Sequence, residues 1–371
     1  MAGNDNVHAS RSGKTDEFYT QLSLVESELQ HYRQHFRGKI VLCNCDDPYE
    51  SNFFKYFAMN FNALGLKKLI TTCYATSPVT GNEFEYYVGE GGQLSFVPNV
   101  GATPLTYSTR RPYKVEITEV TDENGDGRVD LADVEYLMRN KKNTMTLLDG
   151  DGDFRSAECV ELLVQADIVV TNPPFSLFRD YIALLMKHKK QFLVIGNQNA
   201  LSYREIFPLV KNNEMWLGYN SGHFWFKVPN SYEEKATDFR IDENGQKWRR
   251  MGNICWYTNM DIEKRHENMT LFRCYRPEDY PVYDNYNAIE VGRTADIPCD
   301  YYGVMGVPLT FMCQYNPDQF EIVGQTHSGD TTPEVETLRT DERYRHGGRI
   351  GGKEKFARIL IRRKQVQADE N

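Results

Sequence analysis

The sequence predicts an α/β fold: a doubly wound, Rossmann-like sheet with a β-rich insertion and a C-terminal region of different character. Three observations carry that expectation. Short apolar, β-branched runs recur at Lys39–Cys45, Asp167–Thr171 and Gln191–Gly196, each followed by a turn and then by residues at helical spacing. Between about Ala75 and Leu148 this alternation stops and hairpin signals replace it. Beyond Met260, Tyr and Pro become dense and the apolar runs become short and Gly-punctuated.

The chain has 371 residues, 26% of them charged and 40% hydrophobic, the balance of a soluble protein large enough for two domains. The expected division is a disordered N-terminus over 1–13, an α/β domain over 14–260 with its insertion at about 76–148, and a second region over 261–371. The opening Met-Ala-Gly-Asn-Asp-Asn lacks the basic and apolar parts of a signal peptide, and no apolar run approaches a membrane span. Eight cysteines lie without metal-ligand spacing, and Cys43 and Cys45 form the only close pair. Reduced thiols and a cytoplasmic location are expected. A formal net charge of −9 argues against general nucleic-acid binding, but the charge is segregated: Leu338–Lys364 holds ten Lys/Arg against three Asp/Glu.

In chain order, Thr15 or Asp16 can cap a helix from about Leu22 to His35. Lys39–Cys45 alternates as a strand, Asp46-Asp47-Pro48 forms an acidic turn, and Phe53, Phe57, Phe61 and Leu64 mark a helix ended by Gly65. The turn has no G-x-G-x-x-G, which argues against a dinucleotide pyrophosphate. Its carboxylates suit a ligand with an amine and hydroxyls, such as an amino-acid–nucleoside conjugate. Lys67–Tyr74 is a second strand. Phe84–Val88 and Leu94–Val97 flank Gly89-Glu-Gly-Gly92 as a hairpin, and Tyr113–Val120 is a further strand.

Asp122–Asp133 matches a calcium loop, with Asp122, Asn124, Asp126, Asp130 and Asp133 as side-chain ligands, the Arg128 carbonyl at position 7 and Gly127 at the sharp turn. A strand rather than a helix precedes it and Asp replaces the final Glu. An Asp/Gly-rich turn that caps a helix from Leu131 to about Lys141 is the alternative. A second acidic turn, Asp149–Ser156, precedes a helix over Ala157–Gln165. In it Asp153 can accept from an adenine amine and Phe154 can stack on the base.

The central stretch is Asp167-Ile-Val-Val-Thr-Asn-Pro-Pro-Phe175, a buried strand stopped by two prolines. Each Pro fixes φ and lacks an N–H, so the loop has a set shape and presents acceptors. In open α/β sheets ligands bind beyond the carboxyl ends of the strands, where this loop falls. The chemistry it suits is attack by an exocyclic amine. The Asn172 side-chain oxygen and the Pro173 carbonyl can accept the two N–H bonds of adenine N6, which turns the nitrogen lone pair towards an electrophilic methyl group. Acceptors placed where positive charge develops stabilise the transition state. Pro174 stiffens the loop and Phe175 stacks on the base. Later strands are expected at Met215–Gly218, Phe224–Val228 and Ile254–Asn259, then a long polar loop over Gln325–Lys353 and a basic strand from Phe356.

Taken together, these turns resemble class-γ DNA adenine-N6 methyltransferases of the EcoRI type, in that family's motif order and over nearly the whole chain except the insertion around Asp122. Lys14-Thr-Asp-Glu-Phe-Tyr-Thr20 looks like the N-terminal methyl-donor motif, Cys43-Asn-Cys-Asp-Asp-Pro48 the first-strand motif, Gly152-Asp-Phe154 the adenine-binding motif and Asn172-Pro-Pro-Phe175 the catalytic one. The resemblance implies S-adenosyl-L-methionine as donor, held by Thr15, Phe18, Tyr19, Asn44, Asp46, Asp47, Pro48, Asp153 and Phe154. It implies double-stranded DNA with a flipped adenine as substrate, a target-recognition region over 261–371 and a restriction endonuclease acting on the same site, with a GAATTC-type palindrome. The basic C-terminus supplies Arg345, Arg349, Lys353, Lys355, Arg362 and Arg363 as DNA-binding candidates. Two features depart from the class: the first motif lacks Phe-x-Gly-x-Gly, and the second strand ends in Thr-Thr-Cys-Tyr without the acid that holds the donor ribose. Methylation of RNA or of a protein glutamine amide poses the same electronic problem, though related glutamine enzymes carry Tyr where this chain has Phe175. A calcium-dependent binding module is the non-enzymatic alternative.

Overall fold

A computed structural model describes residues 20–45, 51–72, 86–88, 94–95, 103–105, 112–122, 125, 129, 133, 144–228, 232–326, 332–341 and 347–365. The chain divides into two compact units: 1–196 with 220–260, and 197–219 with 261–371.

The first unit is built on a mixed α/β sheet. Its centre is four parallel strands: β1 (Ile40–Cys43), β2 (Lys68–Thr72), β8 (Ile168–Thr171) and β9 (Gln191–Asn197). They lie in the spatial order β9-β8-β1-β2, each neighbouring pair parallel. All four residues of β8 and the five inner residues after Gln191 in β9 are buried, as strands covered on both faces must be. Beyond β2 the sheet continues antiparallel through β6 (Tyr113–Ile117) and β7 (Thr144–Leu147). Beyond β9 it continues through β12 (Lys247–Thr258) and β10 (Trp216–Lys227), with β11 (Phe239–Ile241) antiparallel to β12. The separate strands expected at Met215–Gly218 and Phe224–Val228 are therefore one strand, because pairing with β12 carries the backbone through the polar middle of the segment. The predicted hairpin is present as β3 (Tyr86–Val88) and β4 (Leu94–Ser95), antiparallel, joined by β5 (Thr103–Leu105) on the other side of β3.

The helices follow from local sequence. In α1 (Leu22–Leu29) the expected helix tightens into a 3-10 segment over Gln30–Phe36. The Ser51 side chain caps α2 (Asn52–Met59), and α3 (Phe61–Leu64) ends at Gly65, whose φ of 63° is the left-handed conformation that favours glycine. Ser156 caps α4 (Ala157–Gln165) by accepting from the Cys159 N–H. Phe36 and Phe57 meet edge to face at 5.0 Å, and Phe53 meets Trp256 at 5.9 Å. The buried carboxylate of Glu28 is satisfied by the Tyr32 hydroxyl and by the backbone and side-chain nitrogens of Asn220. The helix expected over 131–141 lies outside the described residues apart from Asp133.

The second unit carries α6 (Phe207–Lys211) and a four-stranded sheet in the order β13 (Ile289–Glu290), β14 (Val304–Pro308), β18 (Arg358–Arg363), β15 (Phe320–Gln325). The segment read as one long polar loop instead contains α7 (Pro333–Leu338), whose buried Val335 joins Tyr283, Tyr286, Val304, Val323 and Leu360 in one core cluster. It also contains a hairpin of β16 (Arg349–Ile350) and β17 (Lys353–Glu354). The basic strand β18 is central in its sheet, not a free edge, because Ile359, Leu360 and Ile361 are buried. The Gly punctuation of β14 has a packing cause: a Cβ on Gly306 would collide with the Tyr283 hydroxyl.

At the end of β9, a Cβ on Gly196 would lie 2.6 Å from the Phe178 ring and 2.9 Å from that of Tyr257. Both rings are buried, so they cannot swing into solvent. Gly196→Ala is expected to destabilise the protein by about 1–3 kcal/mol, read as a lower urea midpoint at unchanged slope.

Candidate active site

In the parallel core, β1 leads to β2 on one side while β8 returns on the other side of β1. The switch point of the doubly wound sheet therefore lies between the carboxyl ends of β1 and β8. Asn44 follows β1 there and Asn172 follows β8. This crevice is where open α/β sheets bind their ligands. The pairing of Val41 with Ile168 and Leu42 with Val169 sets the register that brings the two asparagines to the same edge.

Asn172 and Pro173 are buried, while Pro174 and Phe175 are half-buried. The two prolines break the strand and a 3-10 turn over Phe175–Leu177 leads into α5 (Phe178–Lys187). The buried hydroxyl of Thr171, immediately before Asn172, has no hydrogen-bond partner among the described residues.

One side chain joins three motifs that are far apart in sequence. The Tyr181 hydroxyl, from α5, donates to Asn44 Oδ1, and the Tyr181 ring meets Phe154 edge to face at 5.0 Å. Burial pushes the Tyr181 phenol well above its usual range, so it remains a donor. With Oδ1 accepting, the Asn44 amide nitrogen is the group that can donate to a ligand. The backbone carbonyl of Asn44 accepts from the Thr72 hydroxyl at 3.5 Å. Tyr181 carries no signal in sequence, because a Tyr at helical spacing reads as ordinary core.

Phe154 is buried. Asp153 is engaged by Arg155: its two carboxylate oxygens accept from Nε at 2.9 Å and Nη2 at 2.7 Å, and Oδ1 also accepts the Arg155 N–H at 2.8 Å. The Arg155 hydrogen bonds hold the Asp153 carboxyl below its usual range, so it acts as an acceptor only.

Thr15, Phe18, Tyr19, Asp46, Asp47 and Pro48 lie outside the described residues. Their neighbours are placed. The Thr20 carbonyl accepts from the Asn52 amide at 2.7 Å, which brings the end of the N-terminal motif to the start of α2, beside the turn that follows β1. The hydroxyls of Thr20 and Thr71 are buried and have no hydrogen-bond partner among the described residues. Of the calcium-loop residues, Asn124, Asp126, Arg128 and Asp130 lie outside the described residues. Asp122 accepts the Gly125 N–H at 2.7 Å, an ordinary Asx turn, and Asp133 is buried. Among the described residues, nothing supports calcium there.

The basic candidates divide. Lys353 and Lys355 are exposed, and Phe356 beside them is 88% exposed. Arg349 is half-buried and donates to the Gly352 carbonyl; Arg362 is exposed but pairs with Glu321 at 3.3 Å; Arg363 lies 5.2 Å over the Tyr302 ring. Arg345 is outside the described residues. The β16–β17 turn is Gly351-Gly352, both left-handed, and both amides donate to the Asp284 carboxylate at 3.1 and 2.7 Å. The buried side chain of Asn285 donates to the Gly347 carbonyl and accepts from the Arg349 N–H. Asp284, Asn285 and Phe356 were not evident from sequence, although Gly351-Gly352 between basic residues is a hairpin signal.

An Asn-Pro-Pro-Phe loop at the switch point of a Rossmann-like sheet defines an amine-directed methyltransferase. The profile of the adenine-specific methyltransferase EcoRI family matches residues 6–364. The chain is 42% identical to the Type II methyltransferase M.EcoRI of Escherichia coli over 370 residues, 99% of this chain and 98% of that one. It is 34% identical to the Type II methyltransferase M.MpnI of Mycoplasma pneumoniae over 366 residues, 96% and 97% of the two chains. It is 35% identical to the Type II methyltransferase M.MgeORF184P of Mycoplasma genitalium over 373 residues, 97% and 99%. No solved structure matches. The chain belongs to the EcoRI-type adenine-specific methyltransferase family, as its motifs anticipate, and is a site-specific DNA adenine methyltransferase.

Removing the Tyr181 hydroxyl leaves the buried Asn44 oxygen without its phenolic donor. Tyr181→Phe is expected to cost about 1–3 kcal/mol of stability, measured by urea unfolding, while far-UV circular dichroism stays unchanged.

Proposed function

We propose that the protein transfers a methyl group from S-adenosyl-L-methionine to N6 of an adenine flipped out of a short double-stranded DNA sequence. The observation that carries this reading is the Asn172-Pro173-Pro174-Phe175 loop at the switch point, beside Asn44. Asn172 Oδ1 and the Pro173 carbonyl accept the two N6–H bonds, and the half-buried Phe175 ring stacks on the base. A base in the duplex stack cannot reach such a loop, so the adenine leaves the helix. The proton is lost from nitrogen after attack, so no general base is needed.

The residues present fit the donor. The orphaned hydroxyls of Thr20 and Thr71 are groups that a ligand with ribose hydroxyls and an amino-acid end would satisfy. Asn44 adds a donor, and Thr15, Phe18, Tyr19, Asp46, Asp47 and Pro48 complete the pocket in this reading. When bound, the donor supplies the electrophilic methyl group. Asp153 and Phe154 hold the donor's adenine in this reading.

Residues 261–371 recognise the target. The β16–β17 hairpin, fixed by Asp284 and Asn285, presents Lys353 and Lys355 to phosphates and Phe356 to the bases. A two-stranded ribbon fits the major groove. A restriction endonuclease that cleaves the same sequence is the expected biological partner, and a DNA substrate makes the cytoplasm the expected location.

Labelled methyl transfer to unmethylated genomic DNA, with modified positions mapped by single-molecule sequencing, tests this reading. N6-methyladenine at one short motif is the expected result; label confined to RNA or protein would replace the substrate. Asn172→Ala is expected to lower kcat by about 10²–10³-fold with donor affinity retained. Loss of donor binding instead would reassign the residue. DNA affinity should fall steeply with salt, and Lys353→Ala/Lys355→Ala should reduce the log–log slope by roughly 0.9 per lost phosphate contact.

A further inference from the structure

Cys274 and Cys299 are 25 positions apart in sequence, and nothing in their spacing suggests a site. In the second unit the fold brings them together. Residues 273 and 298 form a parallel bridge, and the Cys299 N–H donates to the Arg273 carbonyl at 2.7 Å. One position on, the Tyr275 N–H donates to the Asp300 carboxylate at 2.6 Å, and the Tyr275 ring packs against Tyr301 at 4.6 Å. Two irregular segments therefore run side by side in fixed register. The thiol sulfurs of Cys274 and Cys299 and a carboxylate oxygen of Asp300 all lie within 4.8 Å of one another. Among the described residues this is the one cluster of three or more His, Cys, Asp or Glu side chains close enough to share an ion.

We propose that Cys274, Cys299 and Asp300 form a zinc site. Two thiolates select a borderline-soft ion such as Zn²⁺ over Mg²⁺ or Ca²⁺, which take oxygen ligands. The Asp300 carboxylate is already oriented, because its Oδ1 accepts the Tyr275 N–H. Cys274 and Asp300 are exposed and Cys299 is half-buried, so a water takes the fourth tetrahedral position. Binding forms two Zn–S bonds and one Zn–O bond, and the two thiol protons pass to solvent; no oxidant or reductant takes part. The ion would staple segment 273–275 to segment 298–301, where the described residues hold few regular elements and zinc takes the place of a hydrogen-bonded ladder. The site is distinct from Asp122–Asp133, which offers no sulfur.

The test uses the full-length protein, reduced and stripped of metal, titrated with Zn²⁺ against a chromophoric chelator and separately with Co²⁺ as a spectroscopic reporter. The expected result is one tight equivalent of zinc, a thiolate-to-cobalt charge-transfer band, and a raised melting temperature. In Cys274→Ser/Cys299→Ser the band should vanish and zinc affinity should fall at least tenfold. Asp300→Asn keeps an oxygen to accept the Tyr275 N–H, so folding is preserved, and zinc should weaken on the order of ten- to hundred-fold. Equal zinc affinity in wild type and the double serine variant, or no cobalt band in the reduced wild type, would overturn the site. So would a Cys274–Cys299 disulfide that persists under reductant and leaves no metal affinity. None of these readouts depends on methyl transfer, so the site stands or falls separately from the enzyme's activity.

Discussion

The Tyr181 hydroxyl donates to Asn44 Oδ1 inside a core where neither group meets water freely, and the packing at the switch point of the sheet depends on that bond. Asn44 follows the first strand, Tyr181 belongs to the helix that follows the Asn-Pro-Pro-Phe loop, and Phe154 of the Gly152-Asp-Phe turn packs on the tyrosine ring. The segment after β1, the turn before α4 and the helix after the Asn-Pro-Pro-Phe loop are thus tied to one side chain rather than to one another. A buried polar group left without its partner costs more than the bond is worth when made. The arrangement therefore resists any shift of the helix relative to β1. Since α5 begins three residues after Phe175, fixing the helix also fixes the loop that presents Asn172.

Much of this was legible in sequence because the relevant signals are local. A strand stopped by Pro-Pro, a helix capped by Ser156 and a helix ended by Gly65 each depend on a few neighbouring residues, and each forms close to where it is expected. Tyr181 was not legible, because its role is set by a partner 137 positions away. The Arg155 engagement of Asp153 is local but ambiguous: an acid two residues before an arginine reads equally as a ligand-binding group or as a loop ion pair. The long β10 strand was read as two, since its middle residues are polar and only the partner strand makes them extended.

In the second unit the sequence overstates the free positive charge. Arg358 reads as part of a basic DNA-facing strand, yet its guanidinium is held by Glu290 at 2.6 Å, and Glu290 also accepts from the buried Tyr283 hydroxyl. An ion pair at such depth repays its desolvation only when the remaining hydrogen bonds are made, as they are here. Arg362 is spent on Glu321 and Arg349 on Gly352. Among the described residues, Lys353 and Lys355 at the hairpin form no ion pair, and the turn geometry is fixed by the Asp284 carboxylate. Charge counted along a chain gives an upper bound on an electrostatic surface; a strand at the centre of a sheet uses its charges to close its own edges.

The absence of an acid at the end of β2 has a physical consequence for donor binding. Thr71 and Thr72 are almost fully buried. A carboxylate at that depth would cost several kcal/mol unless paired, and the neighbouring Lys68 and Lys114 are already committed to Glu116. Neutral hydroxyls avoid that cost, and the Thr71 hydroxyl can still donate and accept. Such a group suits a ribose hydroxyl but offers no charge to a cation. In the proposed reading, the charge that attracts the positively charged end of the donor comes from Asp46 and Asp47, whose acidic composition suits it.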